Sequence, residues 1–137
     1  MSDKSNFDEL KINENILRGI YSYGFENPSS IQIEAIPKII GGGDIIAQAQ
    51  SGTGKTGAFS IGILNKIDDK LEETQSIIIV PTHELADQVL NVINELSKYT
   101  EIKTLKVIGK TSINKCITEL KDNPHFIFLK FILCVVV

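Results

Sequence analysis

Eight consecutive residues constrain this chain more than any others: Ala49-Gln50-Ser51-Gly52-Thr53-Gly54-Lys55-Thr56. They follow the apolar run Ile45-Ile46-Ala47, which reads as a short buried strand, and precede a predicted helix containing Phe59, Ile63 and Ile67. A glycine-rich loop that leaves a strand and opens a helix aims backbone N–H groups and the positive end of the helix dipole at one point, where an anion is held. Gly52 and Gly54 let the backbone turn tightly around phosphate oxygens, Lys55 reaches the β- and γ-phosphates, and the Thr56 hydroxyl can ligate Mg²⁺. The generic phosphate-loop pattern begins with glycine, so Ala49 leaves the match one residue short. The plain alternative, a glycine-rich turn with a surface lysine, is disfavoured by the strand before the loop and the helix after it.

The flanking sequence alternates between helical and strand periods. Asn13 caps a helix carrying Ile16, Leu17, Ile20 and Tyr21 that stops at Gly24, and Pro28-Ser29-Ser30 starts another through Ile31, Ala35 and Ile39, ended by Gly41-Gly42-Gly43. Ser76-Ile77-Ile78-Ile79-Val80 is an unbroken β-branched strand. Pro81-Thr82 opens a long helix with Leu85, Val89, Val92, Ile93 and Leu96 on one face. Leu105, Val107 and Ile108 make another strand, Ser112 to Asp122 a helix with Ile113, Ile117 and Leu120, and His125 onward a last strand-like run. Such alternation predicts an α/β fold: a parallel sheet with flanking helices.

Composition narrows the partners. The 137 residues are 42% hydrophobic and 23% charged, the profile of one soluble globular domain, and a formal net charge of -3 excludes a simple basic-patch binder of nucleic acid. Arg18 is the only arginine, so bidentate guanidinium clamps on phosphate are nearly lacking. Cys116 and Cys134 fit neither a metal spacing nor a disulfide framework and imply free thiols in a reducing compartment. The polar Met1 to Leu10 stretch has no apolar signal region, leaving cytoplasm or nucleus, with the cytoplasm the expected place.

Ala49-x-x-Gly52-x-Gly54-Lys55-Thr56 resembles motif I of the DEAD-box RNA helicases, which starts with alanine, so the departure at Ala49 becomes a match. Gly24-Phe25-Glu26-Asn27-Pro28-Ser29-Ser30-Ile31-Gln32 resembles their Q motif, Phe7 stands where they carry an isolated upstream aromatic, and Pro81-Thr82-His83-Glu84-Leu85-Ala86 resembles motif Ia. The wording from Ala47 to Thr56, with Leu17-Arg18-Gly19-Ile20-Tyr21, is most similar to the initiation factor 4A branch. The resemblance implies an incomplete RecA-like P-loop NTPase domain: residues 1–40 a Q-motif lead-in, 41–128 the first part of the ATP-binding domain, 129–137 a divergent apolar end. It implies ATP and Mg²⁺ as cofactors, Phe25 stacking on adenine, Gln32 reading the adenine edge, and Ala49, Gln50, Ser51, Gly52, Thr53, Gly54, Lys55 and Thr56 holding the phosphates, with Thr56 on the metal. RNA would meet Pro81, Thr82, His83 and Gly109, and translation-initiation scaffold proteins would be partners. From the residues alone, Ser29-x-x-Gln32 equally satisfies a capping box, in which Gln32 only closes a helix start.

Two RNA-facing positions depart from the family. His83 stands where the family has arginine, replacing a fixed charged fork by an imidazole, and it reads equally well as a solvated surface residue. Gly109 is followed by Lys110 rather than a second glycine. The likeness ends near Phe128, before any Thr-Pro-Gly-Arg, Asp-Glu-Ala-Asp or Ser-Ala-Thr segment. The closing run Leu129 to Val137, interrupted by Lys130, is too short for a bilayer, which needs about 20 apolar residues, so no membrane is expected. A frameshift or premature stop in a longer gene is expected, testable in the downstream DNA. ATP binding is then expected without hydrolysis or unwinding by this chain alone. The alternatives are a non-catalytic adenine-nucleotide-binding module and an inert remnant.

Overall fold

The computed structural model describes residues 6–107, 109 and 112–130. Its chain divides into two compact units, Met1–Ile67 with Val92–Thr100, and Asp68–Asn91 with Glu101–Val137. Among the described residues no helix is long and apolar enough to cross a membrane.

In the first unit a 3-10 turn, Phe7–Leu10, leads into α1, Glu14–Tyr23. The predicted caps form: the Asn13 side chain accepts from the Asn15 N–H, and Gly24, left-handed at φ 100°, donates to the Ile20 and Tyr21 carbonyls. Ile16 and Ile20 are buried, Leu17 is half-buried, and Tyr21 stays exposed. Between them Gly19 is buried against the backbone: a Cβ there would lie 1.9 Å from the Leu96 carbonyl oxygen. The stretch from Val92 to Leu96 is the end of α4, His83–Leu96. Its buried face of Val89, Val92, Ile93 and Leu96 is the one the periodicity predicts, joined by Ala86 and edged by half-buried Leu85.

α2, Ser30–Gly41, packs on α3, Lys55–Leu64. The predicted apolar face of α3 is corrected here. Phe59 and Ile63 are only half-buried and Ile67 lies beyond the helix, whereas Ala58, Ile61 and Leu64 are buried. A ten-residue helix that is apolar nearly all round offers several stripes at helical spacing, and tertiary packing chooses among them.

The strand expected at Ile45-Ile46-Ala47 does not form. Residues 44–50 have no regular structure and Ile46 is fully exposed. A β-branched run becomes a strand only when its N–H and C=O groups find a ladder partner, and among the described residues none pairs with this segment.

The second unit carries the predicted parallel sheet: β1 Ser76–Val80, β2 Thr104–Val107 and β3 Phe126–Lys130, in the order β1-β3-β2. Register sets Phe128 between Ile78 of β1 and Lys106 of β2, and Ile77 beside Ile127. One face buries Ile78, Val80, Phe126 and Phe128, while Ile77 and Ile79 on the other are each 58% exposed. His125 pins the strand starts together. Its carbonyl accepts from the Gln75 and Ser76 N–H groups, its N–H donates to the Lys103 carbonyl, and its Nδ1 accepts the Lys103 N–H at 2.9 Å. That last bond selects the Nε2–H tautomer. α5, Ile113–Leu120, adjoins β2 but buries nothing, with Ile113, Ile117 and Leu120 all exposed. Ile108, Lys110, Cys134 and the run beyond Lys130 lie outside the described residues.

Gly19→Ala adds a methyl group where the Leu96 carbonyl stands. Overpacking of about 1–3 kcal/mol outweighs a helix-propensity gain of about 1 kcal/mol. With the Cβ only 1.9 Å from that oxygen, the cost falls at the upper end of the range and the variant is expected to lose about 2 kcal/mol and several degrees of thermal midpoint; an unchanged midpoint would show that the α1 and α4 backbones separate freely.

Candidate nucleotide-binding site

The loop from Ala49 to Thr56 is shaped by its own residues. Gly52 and Gly54 take left-handed φ values of 80° and 95°, and Gly54 is the N-cap of α3. The Thr53 hydroxyl donates to the Gln50 carbonyl at 2.7 Å, and the Lys55 ammonium donates to the Ala49 and Gln50 carbonyls. The loop thus curls around a cation at the start of a helix. The first N–H groups of a helix have no partner inside it, and α3 begins at Lys55 directly after this loop. The arrangement fits a polyanion. For Mg²⁺ the fit is partial: Thr56 offers one hydroxyl, and the described residues hold no cluster of three or more His, Cys, Asp or Glu that could bind a metal. Such an ion takes its other oxygens from phosphate and water.

Gln32 joins α2 to this loop. Its Oε1 accepts the Ser29 N–H at 2.9 Å, closing the capping box, and its Nε2 donates to the Gly54 carbonyl at 3.2 Å. The residue is only 4% exposed. A side-chain amide has two N–H donors and two acceptor lone pairs, so each of these bonds leaves one donor and one acceptor unspent. The capping role and an edge-reading role are therefore compatible on one side chain.

Phe25 completes the site from the end of α1. Half-buried, it stacks on Phe7 at 6.3 Å and 20° and meets Tyr23 edge-on at 5.0 Å. Gly57 is a site residue the sequence reading missed. A Cβ there would lie 2.7 Å from Gln32 Nε2 and 3.2 Å from the Phe25 ring, so its bareness lets both side chains reach the first turn of α3. The available signal was a glycine inside a helix, directly after Lys55-Thr56, where propensity prefers alanine. Also missed was the Tyr21 hydroxyl, which donates to the Asp8 carboxylate.

All ten predicted cofactor residues fall in the first unit, and the four predicted RNA residues in the second. Pro81 and Thr82 are exposed, and Thr82 Oγ1 accepts the Leu85 N–H at 3.1 Å, capping α4. His83 is half-buried with its Nδ1 removed from water and without a partner, so it is more than a solvated surface residue. Gly109 is exposed, and among the described residues no atom lies within 4 Å of where a Cβ would sit.

The chain is similar to known proteins. A DEAD/DEAH box helicase family model matches residues 29–131. The chain is 48% identical over 123 residues to the ATP-dependent RNA helicase eIF4A of Yarrowia lipolytica, covering 90% of this chain and 31% of that protein. It is 49% identical over 121 residues to the ATP-dependent RNA helicase FAL1 of Coccidioides immitis, covering 88% and 30%. Among solved structures it matches S. cerevisiae Dbp5 bound to RNA and ADP BeF3 with a TM-score of 0.83 at 36% identity, covering 92% of this chain and 32% of that one. A DEAD box protein from the hyperthermophile Methanococcus jannaschii matches at 0.85 and 35%, covering 91% and 34%. The chain spans about a third of the length of these relatives.

Two tyrosines of this unit titrate in opposite directions. The Asp8 carboxylate bonded to Tyr21 raises its pKa above the ordinary value, so its contribution to stability is complete below about pH 10 and is lost as pH rises through the raised value. Tyr99 is lowered by the Ser22 hydroxyl, then by the Lys98 and Arg18 charges, Arg18 lying 3.9 Å over the ring. Its contribution is complete above about pH 10 and lost as pH falls through the lowered value. Absorbance titration near the phenolate band should show components on both sides of the ordinary midpoint, Tyr21→Phe removing the upper and Tyr99→Phe the lower. One unsplit transition would contradict these environments.

Proposed function

The chain belongs to the DEAD/DEAH box helicase family, and on that premise we propose that it binds adenosine triphosphate with Mg²⁺ as the nucleotide-holding part of an initiation factor 4A-like RNA helicase. The observation that carries this reading is the double bond of Gln32, to the Ser29 N–H and the Gly54 carbonyl, which ties an amide with a free donor and a free acceptor to the phosphate loop. Adenine presents a donor beside an acceptor, which that remaining pair complements, while guanine reverses the exocyclic group and is refused. Phe25 supplies the stacking surface. Residues 49–56 hold the phosphates, with Lys55 moving from the Ala49 and Gln50 carbonyls to phosphate oxygens, and Thr56 gives Mg²⁺ one ligand. On this reading residues 1–40 are the Q-motif lead-in and 41–128 the first part of the ATP-binding domain.

RNA contact falls to Thr82, Gly109 and the N-terminus of α4, weakened because His83 brings no fixed charge. Work in the cytoplasm beside translation-initiation scaffold proteins belongs to the same proposal, supported by the likeness to eIF4A. These 137 residues contain no Asp-Glu-Ala-Asp and no Ser-Ala-Thr. Phosphoryl transfer needs a metal-holding aspartate and a water-positioning group, so the chain by itself acts as a non-catalytic nucleotide binder.

Calorimetric titration of the chain with Mg-ATP and Mg-GTP tests the reading. Preference for ATP is expected, with Lys55→Ala weakening binding tenfold or more (about 1.4 kcal/mol) and Gln32→Ala erasing discrimination between the bases. Absence of binding, or equal binding by all three proteins, refutes it. A steady-state assay with RNA should find ATP turnover at background, and strong RNA-stimulated turnover would refute the non-catalytic part.

A further inference from the structure

Behind the Phe25 ring lies a support built from a different stretch of chain. Phe7 is fully buried and makes an offset stack on the half-buried Phe25, ring centroids 6.3 Å apart and planes 20° from parallel. Phe7 itself belongs to a four-residue 3-10 turn, an element too short to hold its own shape. The turn is fastened at two points. Asn6 Oδ1 accepts the Glu9 N–H at 3.1 Å, and Asp8, next to Phe7, accepts the Tyr21 hydroxyl while the Tyr21 ring stands edge-on to Phe7 at 6.3 Å and 84°. Tyr21 is 42% exposed, far more than Ile16 and Ile20 on the same helix. Its specific contacts are the ring edge against Phe7 and the bond to Asp8.

We infer that Asp8 and Tyr21 are positioning residues of the base pocket: their hydrogen bond fixes the turn so that Phe7 backs the Phe25 ring against which adenine stacks. This rests on the assignment of Phe25 and Gln32 to adenine given above. The bond reaches Phe25 only through Phe7, and neither residue belongs to the phosphate loop. Its loss lets Phe7 retreat and Phe25 rock, so part of the stacking free energy goes into ordering the ring each time a nucleotide binds. Phosphate binding, governed by Lys55 and the first turn of α3, does not change.

The test uses the whole 137-residue chain as wild type, Tyr21→Phe, Asp8→Asn and the double variant, each titrated with Mg-ATP and with Mg-tripolyphosphate, which has the phosphates but no base. Tyr21→Phe is expected to weaken ATP binding about three- to tenfold, as loss of a hydrogen bond to a charged acceptor at a partly exposed site implies. Asp8→Asn, which keeps an acceptor oxygen, should fall between it and wild type. The double variant should be no weaker than Tyr21→Phe, because both changes remove one bond. Tripolyphosphate affinity should stay at the wild-type value in all four. Unchanged ATP affinity in Tyr21→Phe overturns the inference while leaving the nucleotide reading intact. Equal losses for both ligands also overturn it, since they mark a general loosening of the unit. A wild-type chain that binds tripolyphosphate but not ATP overturns the adenine assignment and this inference with it.

Discussion

The first unit depends on one buried amide. Gln32 is nearly inaccessible, and a buried amide left without partners costs about 1–3 kcal/mol, so its bonds to Ser29 and Gly54 are conditions of its burial. Those bonds make the start of α2 and the start of α3 a single construction. Gly54 serves three purposes at one residue: it turns left-handed, it caps α3, and its carbonyl accepts both the Ala58 N–H and the Gln32 amide. Gly57 is bare because Gln32 and Phe25 occupy the space its side chain would need. Remove the amide, and the capping box, the loop and the aromatic stack lose their common reference.

On the proposed reading, charge separates the nucleotide-holding and RNA-facing parts of the family pattern. A phosphate loop works with backbone N–H groups, a helix end and one lysine, all of which an acidic chain can supply locally. Gripping an RNA backbone calls for several fixed cations. The only arginine, Arg18, lies over the Tyr99 ring, and Lys106 is paired with Asp87 beneath the start of α4. His83 turns one ring nitrogen away from water. On the proposed reading, what is left for an RNA phosphate there is the Thr82 hydroxyl hydrogen and the N-terminus of α4, contacts that position a strand without adding charge.

In the second unit burial is one-sided. Parallel sheets are usually covered on both faces, yet Ile77 and Ile79 remain more than half exposed and α5 buries none of its residues. Order is maintained at the strand starts instead, where His125 exchanges three backbone bonds and one ring bond with its neighbours. The contrast with the first unit is one of mechanism: there, shape comes from helix packing around Gly19, and here from a clamp of hydrogen bonds.

Much of this protein was legible in the sequence because local chemistry determined it. The Asn13 and Gly24 caps, the α4 face, the parallel sheet, the left-handed turns at Gly52 and Gly54 and the start of α3 at Lys55 follow from turn residues, periodicity and glycine placement, which act within a few residues of themselves. The strand at Ile45-Ile46-Ala47 was misread because a strand is a relation between segments, and its sequence does not say whether a partner stands beside it. The buried stripe of α3 was misread because its apolar residues encircle the helix and only the neighbours choose a side. Gly19, Gly57 and the Asp8–Tyr21 bond were invisible for the same reason. The sequence by itself determined which atoms could hold a phosphate; tertiary structure alone decided how Gln32 divides its bonds and what stands behind Phe25, because both depend on contacts between residues far apart in the chain.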